Sequence, residues 1–386
     1  MLTEFHIPSA IIVGGGAINR VAIEAERLAL KRTLIVCGNY ARKSGLADQV
    51  GVLLQEKGIA SNIFPHVQPD PTDQNVMAGL DRFRETNSDG VIAIGGGSPI
   101  DAAKIISLLA TNDPPLQQYA GQARFSKTGI ALIAIPTTAG SGSEVSQSAI
   151  IIDTDRKEKM VLLDPKLLPS VALVDYELTS TMPPSLTAYT GMDALYHGIE
   201  AYVSRRANPL TDPLAISCIG LTAKNLLKAF EHPENKTARQ NMMTASCQAG
   251  MVSTNSSMTL IHGMARPLGA WNHIPHGLSN ALLAPAVIEF SIPGAIKRYA
   301  VIGRTMGFAS ESDTDDTSAH ALVTGLLNLN TRLNIPRLRN CLQVDFGTFK
   351  QNLEKMAVNA LASGSPQNNP VGADIEQIVK LYQTAW

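Results

Sequence analysis

Across residues 1–181, short runs of β-branched and aliphatic residues alternate with amphipathic stretches, and beyond residue 182 such runs become rare. This alternation restricts the fold more than any other feature, because parallel strands need a crossover long enough to be a helix. Predicted strands are Ala10 to Val13, Thr33 to Cys37, Ser61 to Phe64, Gly90 to Ile94, Ile130 to Ile135 and Ala149 to Ile152. Predicted helices between them are Ala17 to Leu30, Lys43 to Lys57, Thr72 to Asn87 and Pro99 to Ala110. From Met182 onward the texture turns to long Ala, Leu and Met-rich stretches with helical periodicity. The chain is therefore expected to form a Rossmann-like, parallel-sheet α/β domain over residues 1–181 and an all-α helical domain over residues 182–386. Pro183 and Pro184 mark the boundary, since proline stops one element and can start the next. Two domains also suit 386 residues, which exceed the roughly 100–200 of a typical domain. Ser310 to Thr317, polar and acidic, reads as an exposed loop between helices.

Charge and cysteine usage narrow the class of function. Lys and Arg total 32 against 33 Asp and Glu, a net charge of -1, which removes the field-driven case for nucleic acid or an anionic membrane surface and leaves a small molecule as partner. Cys37, Cys218, Cys247 and Cys341 are scattered without a CxxC spacing, as reduced intracellular thiols would be. The opening MLTEFHIPSA lacks a basic region followed by an apolar run, and no apolar stretch approaches the ~20 residues of a membrane span. A cytoplasmic protein is the expectation.

In VIAIGGGSPIDAAK, Gly95, Gly96, Gly97 and Ser98 directly follow a buried strand, and Pro99 is preset for the first position of a helix. Glycines let backbone N–H groups approach a pyrophosphate, and the helix N-terminus favours negative charge. The third glycine of GxGxxG is absent, with Ile100 in its place, so a tight turn between strand and helix remains open as the alternative. Gly14 to Gly16 reads as such a turn. The segment IPTTAGSGSEVS places Thr137, Thr138, Ser141 and Ser143 at the end of another strand, and in a doubly wound sheet the carboxyl ends of the strands form the ligand crevice. Asp101, in the first turn after the glycines, is either a partner of the helix dipole or a residue of that crevice.

Asp193 and His197 stand four apart in GMDALYHGIEAY, so both project from one helix face and suit a single ion. A surface ion pair or a hydrogen-bonded core histidine would look the same. Downstream, LIHGMARPLGAWNHIPHGLSN adds His262, His273 and His276 in an apolar context, so half of the eight histidines fall in these two segments. Imidazole nitrogens with one carboxylate suit iron(II) or zinc and would polarise a substrate oxygen. His273 and His6 are read as structural.

Taken together, GGGSPIDAAK, IPTTAGSGSEV, MPPSLTAYTGMDALYHGIEAYVS and HGMARPLGAWNHIPHG resemble the iron-containing alcohol dehydrogenase family, over nearly the whole chain. The resemblance implies a dinucleotide-binding first domain, a divalent metal (iron(II) or zinc) on the helical domain, and hydride transfer between NAD(H) or NADP(H) and a small primary alcohol or aldehyde. It places the metal on Asp193, His197, His262 and His276, the pyrophosphate on Gly96, Gly97 and Ser98, and the nicotinamide-side loop on Thr137, Thr138 and Ser141. Asp70, Lys159 and Leu178 fall on positions that line the cofactor cleft, and a homo-oligomer, a dimer or larger, is implied as well.

Two positions depart from the family pattern. In VCGNYARK, Gly38 stands where many members carry a ribose-binding aspartate; with Arg42 and Lys43 nearby this leaves room for the 2′-phosphate of NADP, while Asn39 could equally bond the ribose of NAD. Arg266 replaces the usual histidine of HGMAH, and an arginine does not titrate near neutral pH. It is read as a catalytic-site residue that either pairs with an anionic group on the substrate, helped by Ser148 and Ser253, or neutralises a cofactor phosphate or helix terminus. Rival readings are a polyol dehydrogenase or dehydroquinate-synthase-like cyclase of the same fold, and a non-catalytic NAD(P)-binding protein.

Overall fold

The computed structural model describes residues 2–156, 158–342 and 344–386. It divides into two compact units, His6–Ser180 and Thr181–Trp386 with residues 2–5.

The first unit contains, in chain order, β1 (Ala10–Val13), α1 (Val21–Arg27), β2 (Arg32–Cys37), α2 (Asn39–Lys43), α3 (Leu46–Gln55), β3 (Ala60–Phe64), α4 (Asp73–Glu85), β4 (Gly90–Gly95), α5 (Gly97–Leu109), β5 (Gly121–Gln122), β6 (Ala131–Pro136), β7 (Ser148–Asp153), β8 (Glu158–Leu163) and β9 (Val171–Val174). Its six-stranded sheet runs β1-β9-β6-β4-β2-β3, parallel throughout. Strands covered on both faces read as continuous apolar runs, and β4 and β9 are buried at every residue. Alternate residues serve opposite cores, as the twofold side-chain period of a strand requires. Leu34, Val36, Val91 and Ala93 pack with α4 and α5, while Ile35, Cys37, Ile92 and Ile94 pack with α1 and α3.

Ala149 to Ile152, expected in this sheet, instead lies in β7 and pairs antiparallel with β8; β5 completes a separate three-stranded sheet. The burial of β7 alternates along its length, the mark of a half-exposed strand and not of a parallel interior one. The place in the parallel sheet belongs to β9, a four-residue VALV run too short to stand out by periodicity.

The second unit is helical among its described residues: α6 (Pro184–Val203), α7 (Asp212–Glu231), α8 (Lys236–Asn255), α9 (Leu260–Asn272), α10 (His276–Thr305), α11 (Asp315–Arg332), α12 (Leu338–Cys341), α13 (Phe346–Ala362) and α14 (Ile375–Ala385). Ser310 to Thr317 is only partly loop. Thr314 accepts the N–H of Thr317 as an N-cap, and Asp315 and Asp316 form the first turn of α11, where carboxylates favour the helix dipole. α10 has the length and apolar composition of a membrane span, yet 61% of that window is buried inside the protein. Its backbone breaks at Ala295, two residues after Pro293.

α6 is the central helix, packed by α7, α8 and α10. At about 100° per residue, Gly191 and Gly198 share one face and Asp193, His197 and Glu200 share the opposite one. A Cβ on Gly191 would come within 2.3 Å of Leu226, and one on Gly198 within 3.2 Å of the Cys218 sulfur, so the glycines admit α7 at close range. The polar face receives the start of α10, where a Cβ on Gly277 would lie 2.1 Å from the Tyr189 carbonyl oxygen and 3.2 Å from the Asp193 Cβ. Gly277→Ala is therefore expected to push α10 off α6 and cost on the order of 1–3 kcal/mol. Chemical denaturation of the variant beside the parent protein measures this, and an unchanged midpoint would show that α10 yields freely.

Candidate metal centre and nucleotide loop

Three elements deliver the polar cluster of the helical unit. Asp193 comes from the middle of α6, His262 from the first turn of α9, and His276 from the first residue of α10. Asp193 Oδ1 lies 3.5 Å from His262 Nε2 and 3.7 Å from His276 Nε2, and one donor atom from each of the three residues falls within 4.8 Å of the others. His197, one turn along α6 from Asp193, stacks its ring on that of His262 at 4.6 Å between centroids. Asp193 and His262 are buried and His276 is partly exposed, so the cluster has one open side.

Glu200, which sequence reasoning missed, organises this cluster. Its Oε1 accepts the N–H groups of Thr259, Ile261 and His262 at 3.0, 2.9 and 3.3 Å and the Thr259 hydroxyl at 2.6 Å, capping an α9 whose N-cap side chain makes no such bond. Its Oε2 accepts from His262 Nδ1. Burial alone would raise the Glu200 pKa, but the His262 charge and these hydrogen bonds hold it below the ordinary value. With the His262 proton on Nδ1, Nε2 turns a lone pair toward Asp193, the arrangement that a carboxylate–histidine–metal triad uses. Asp193 likewise stays ionised: burial opposes this, and His197, His276 and His262 outweigh it. Without an ion, His262 is pushed up to about 9, burial opposing and Glu200 chiefly favouring its charge. Two buried carboxylates beside neutral imidazoles match the charge of a divalent ion, so the residues fit one.

Asn280, also missed, sits one turn beyond His276 on α10. Its amide nitrogen lies 2.8 Å from Asp193 Oδ1 and 3.1 Å from His262 Nε2, and its buried Oδ1 has no partner. Spacing alone held signals for both residues: Glu200 follows His197 by three on the ligand face of α6, and Asn280 follows His276 by four.

In the sheet unit, Gly95 pairs in register with Pro136, and the Thr137 N–H donates to the Gly95 carbonyl at 2.9 Å, which sets the glycine and hydroxyl loops side by side. Gly95 has φ +151°, closed to most side chains. A Cβ on Gly96 would lie 3.1 Å from Thr138 Oγ1, and one on Gly97 3.2 Å from Ser141 Oγ. α5 starts at Gly97, placing Pro99 third in the helix and not first as expected, and its N-cap offers no side-chain bond to the leading N–H groups. Those amides with the facing hydroxyls make an anion seat.

Asp101 accepts from the Ser143 hydroxyl of the hydroxyl loop and, at 2.9 Å, from the Ile150 N–H. Lys104, a further missed residue, is fully buried and donates to the Ser146 and Ser148 carbonyls at 3.0 and 2.7 Å and to the Ser143 hydroxyl at 3.2 Å. The pair ties the hydroxyl loop to α5. Burial pulls Lys104 down to about 8 and pushes the neighbouring Glu144 up to about 7.

Other expected site residues are more dispersed. Asp70 has φ +54° and forms an ion pair with Lys159 at 2.7 Å. Leu178 packs, partly buried, against the α1–α3 core. Asn39 opens α2, and a Cβ on Gly38 would meet the Val67 carbonyl at 2.9 Å, so close backbone approach suffices to explain this glycine. Arg42 is engaged by Asp48. Ser148 lies in β7 of the sheet unit, and Ser253 of α8 bonds the Gly250 carbonyl at 3.0 Å. His273 takes the left-handed conformation that ends α9, consistent with a structural role.

Comparison with known proteins places this geometry. The family model for iron-containing alcohol dehydrogenases matches residues 8–176, and that for the C-terminal part of the Fe-containing alcohol dehydrogenase family matches residues 187–386. The chain belongs to the iron-containing alcohol dehydrogenase family. It is 35% identical to an NAD-dependent methanol dehydrogenase of Bacillus methanolicus, covering 100% of both chains. It is 38% identical to alcohol dehydrogenase 4 of Saccharomyces cerevisiae (strain YJM789), covering 100% of this chain and 99% of that one. The solved structure of a 1,3-propanediol oxidoreductase superposes with a TM-score of 0.97 at 34% identity over 100% of both chains. The protein is thus an iron-type alcohol dehydrogenase that moves hydride between a small alcohol and a nicotinamide nucleotide.

Two tests follow for this dehydrogenase. Glu200→Gln should weaken iron binding about 10- to 100-fold, the usual cost of losing a partner behind a ligand; metal titration followed by calorimetry measures it, and unchanged affinity would remove Glu200 from the centre. Glu144 holds its proton to about pH 7 folded but only to its ordinary 4.5 unfolded, so stability falls as pH rises through that window. Denaturation at pH 5 and 7.5 should show this fall in the parent and its loss in Glu144→Gln, whereas the Lys104 contribution moves only above about pH 8.

Proposed function

We propose that Asp193, His197, His262 and His276 hold one iron(II) ion, that Gly96, Gly97, Ser98, Thr137, Thr138 and Ser141 seat the nucleotide, and that the enzyme interconverts a short primary alcohol and its aldehyde. The carrying observation is the gathering of Asp193, His262 and His276 donor atoms within 4.8 Å around a half-open, buried centre. Bound there, iron(II) supplies Lewis acidity toward an alcohol or carbonyl oxygen. A nicotinamide nucleotide seated on the glycine and hydroxyl loops would take hydride from the carbinol carbon in the oxidising direction, the hydroxyl proton being released, so that alcohol and oxidised nucleotide would give aldehyde, reduced nucleotide and H⁺.

The residues contribute orientation and charge. Glu200 keeps the proton of His262 on Nδ1, and the Asn280 amide holds Asp193 Oδ1 in place. Arg266 stays charged near neutral pH, so it accepts no proton from the alcohol. For the nucleotide, Arg42 is paired through Nη1 with Asp48, whose charge partly offsets its attraction for a 2′-phosphate and so favours NAD(H). The absence of an acidic residue at Gly38 and Asn39 leaves NADP(H) unrepelled and accepted more weakly.

The test is cofactor oxidation by chelator-stripped protein with NADH or NADPH and a panel of two- to four-carbon aldehydes, before and after adding iron(II) or zinc. Activity should return with iron(II), be greater with NADH, and stay near the metal-free baseline in His262→Ala. Equal rates with and without metal would overturn the reading.

A further inference from the structure

Arg266 lies on α9 four residues after His262, on the same helix face and ~6 Å further along the axis. Its guanidinium is unevenly satisfied. Nη1 donates to the Ser365 hydroxyl at 3.2 Å, while Nε is buried with no hydrogen-bond partner. Among the described residues no carboxylate stands within ion-pair distance of it. Glu200 is the charge that the guanidinium senses, but its oxygens are taken by the α9 amides, Thr259 and His262. Arg266 is partly buried, and a guanidinium with one shielded, unbonded nitrogen beside one neutral hydroxyl is favoured by an anion that completes it. Arg298, by contrast, is met by Asp212 at 2.6 Å, while buried Arg239 is held by the Pro233 carbonyl and the Thr187 hydroxyl.

We propose that Arg266 is a specificity-determining residue that binds an anionic group on the substrate, so that the preferred aldehydes are short and carry a terminal carboxylate or sulfonate. The inference rests on the aldehyde reductase reading above and adds the substrate class to it. Planar N–H donors suit either anion in two-point contact, and one helical turn from His262 sets the reach. That spacing spans two to four carbons, about the ~6 Å between the two positions on the helix.

The experiment compares kcat/KM for sulfoacetaldehyde against propanal and for succinic semialdehyde against butanal, in the iron-loaded protein with NADH and with NADPH. The parent enzyme should prefer the anionic member of at least one pair by about 10- to 100-fold, the scale of a charge-assisted hydrogen-bond pair. The favoured pair identifies the anion. In Arg266→Gln the preference should collapse toward one, mainly through KM, and Arg266→Lys should restore part of it. Calorimetric titration of 4-hydroxybutyrate and of 2-hydroxyethanesulfonate into nucleotide-free protein gives a second readout independent of turnover: binding of the favoured anion should weaken at least about tenfold in Arg266→Gln. A parent preference near one in both pairs overturns the proposal, even if the variants fail to fold, and so does a preference that survives Arg266→Gln. Absence of turnover with every aldehyde, together with Arg266-dependent binding of either anion, would sink the dehydrogenase reading and leave the anion site standing.

Discussion

The helical unit depends on one buried carboxylate. Glu200 has no solvent exposure, and a lone ion there would be untenable without compensation. Compensation comes from three amides and a hydroxyl at the start of α9, and from the imidazole that those same amides carry into the cluster. The start of α9 and the tautomer of His262 are therefore fixed by the same charge. A neutral residue at 200 would loosen the helix end and free the ring together, which makes this a positioning interaction more than a stabilising one.

Close backbone approach does the remaining work. Asp193 and His276 come from different helices, and they meet because Gly277 presents no Cβ to the Tyr189 carbonyl. On the opposite face of α6, Gly191 and Gly198 let α7 pack tightly, so the central helix is held from both sides while its polar face stays free for the cluster. In the sheet unit the same economy appears at Gly96 and Gly97, whose missing side chains leave the hydroxyls of Thr138 and Ser141 beside the start of α5.

How much of this could be read from the chain follows from the range of each signal. Strands β2 and β4 were legible because continuous apolar runs report burial on both faces. β9 was not, since four residues carry no period, and β7 was assigned to the wrong sheet because apolarity alone does not name a strand's partner. Asp193 and His197 were legible as a helical i, i+4 pair, and His262 and His276 through the density of histidine. Glu200, Asn280 and Lys104 escaped because a single Glu, Asn or Lys on a helix is ordinarily solvated, and only the fold reveals that these point inward. Asp101 was read from its position in the first helical turn, whereas its partners, Ser143 and Ile150, lie 42 and 49 residues away.

Both units thus fix functional loops with buried charge that they neutralise themselves: Glu200 against His262 and the α9 amides, and Lys104 with Asp101 against the Ser143–Ile150 segment. Such ion pairs contribute little net stability, because desolvation offsets most of the attraction, but removing one member leaves the other stranded. They penalise every alternative arrangement more than they reward the native one. Among the described residues the Arg266 guanidinium bonds Ser365 and has no counter-charge in contact. A partly buried cation left incomplete in the folded protein favours whatever anion completes it, and selectivity among substrates follows from that imbalance without altering the centre that performs the chemistry.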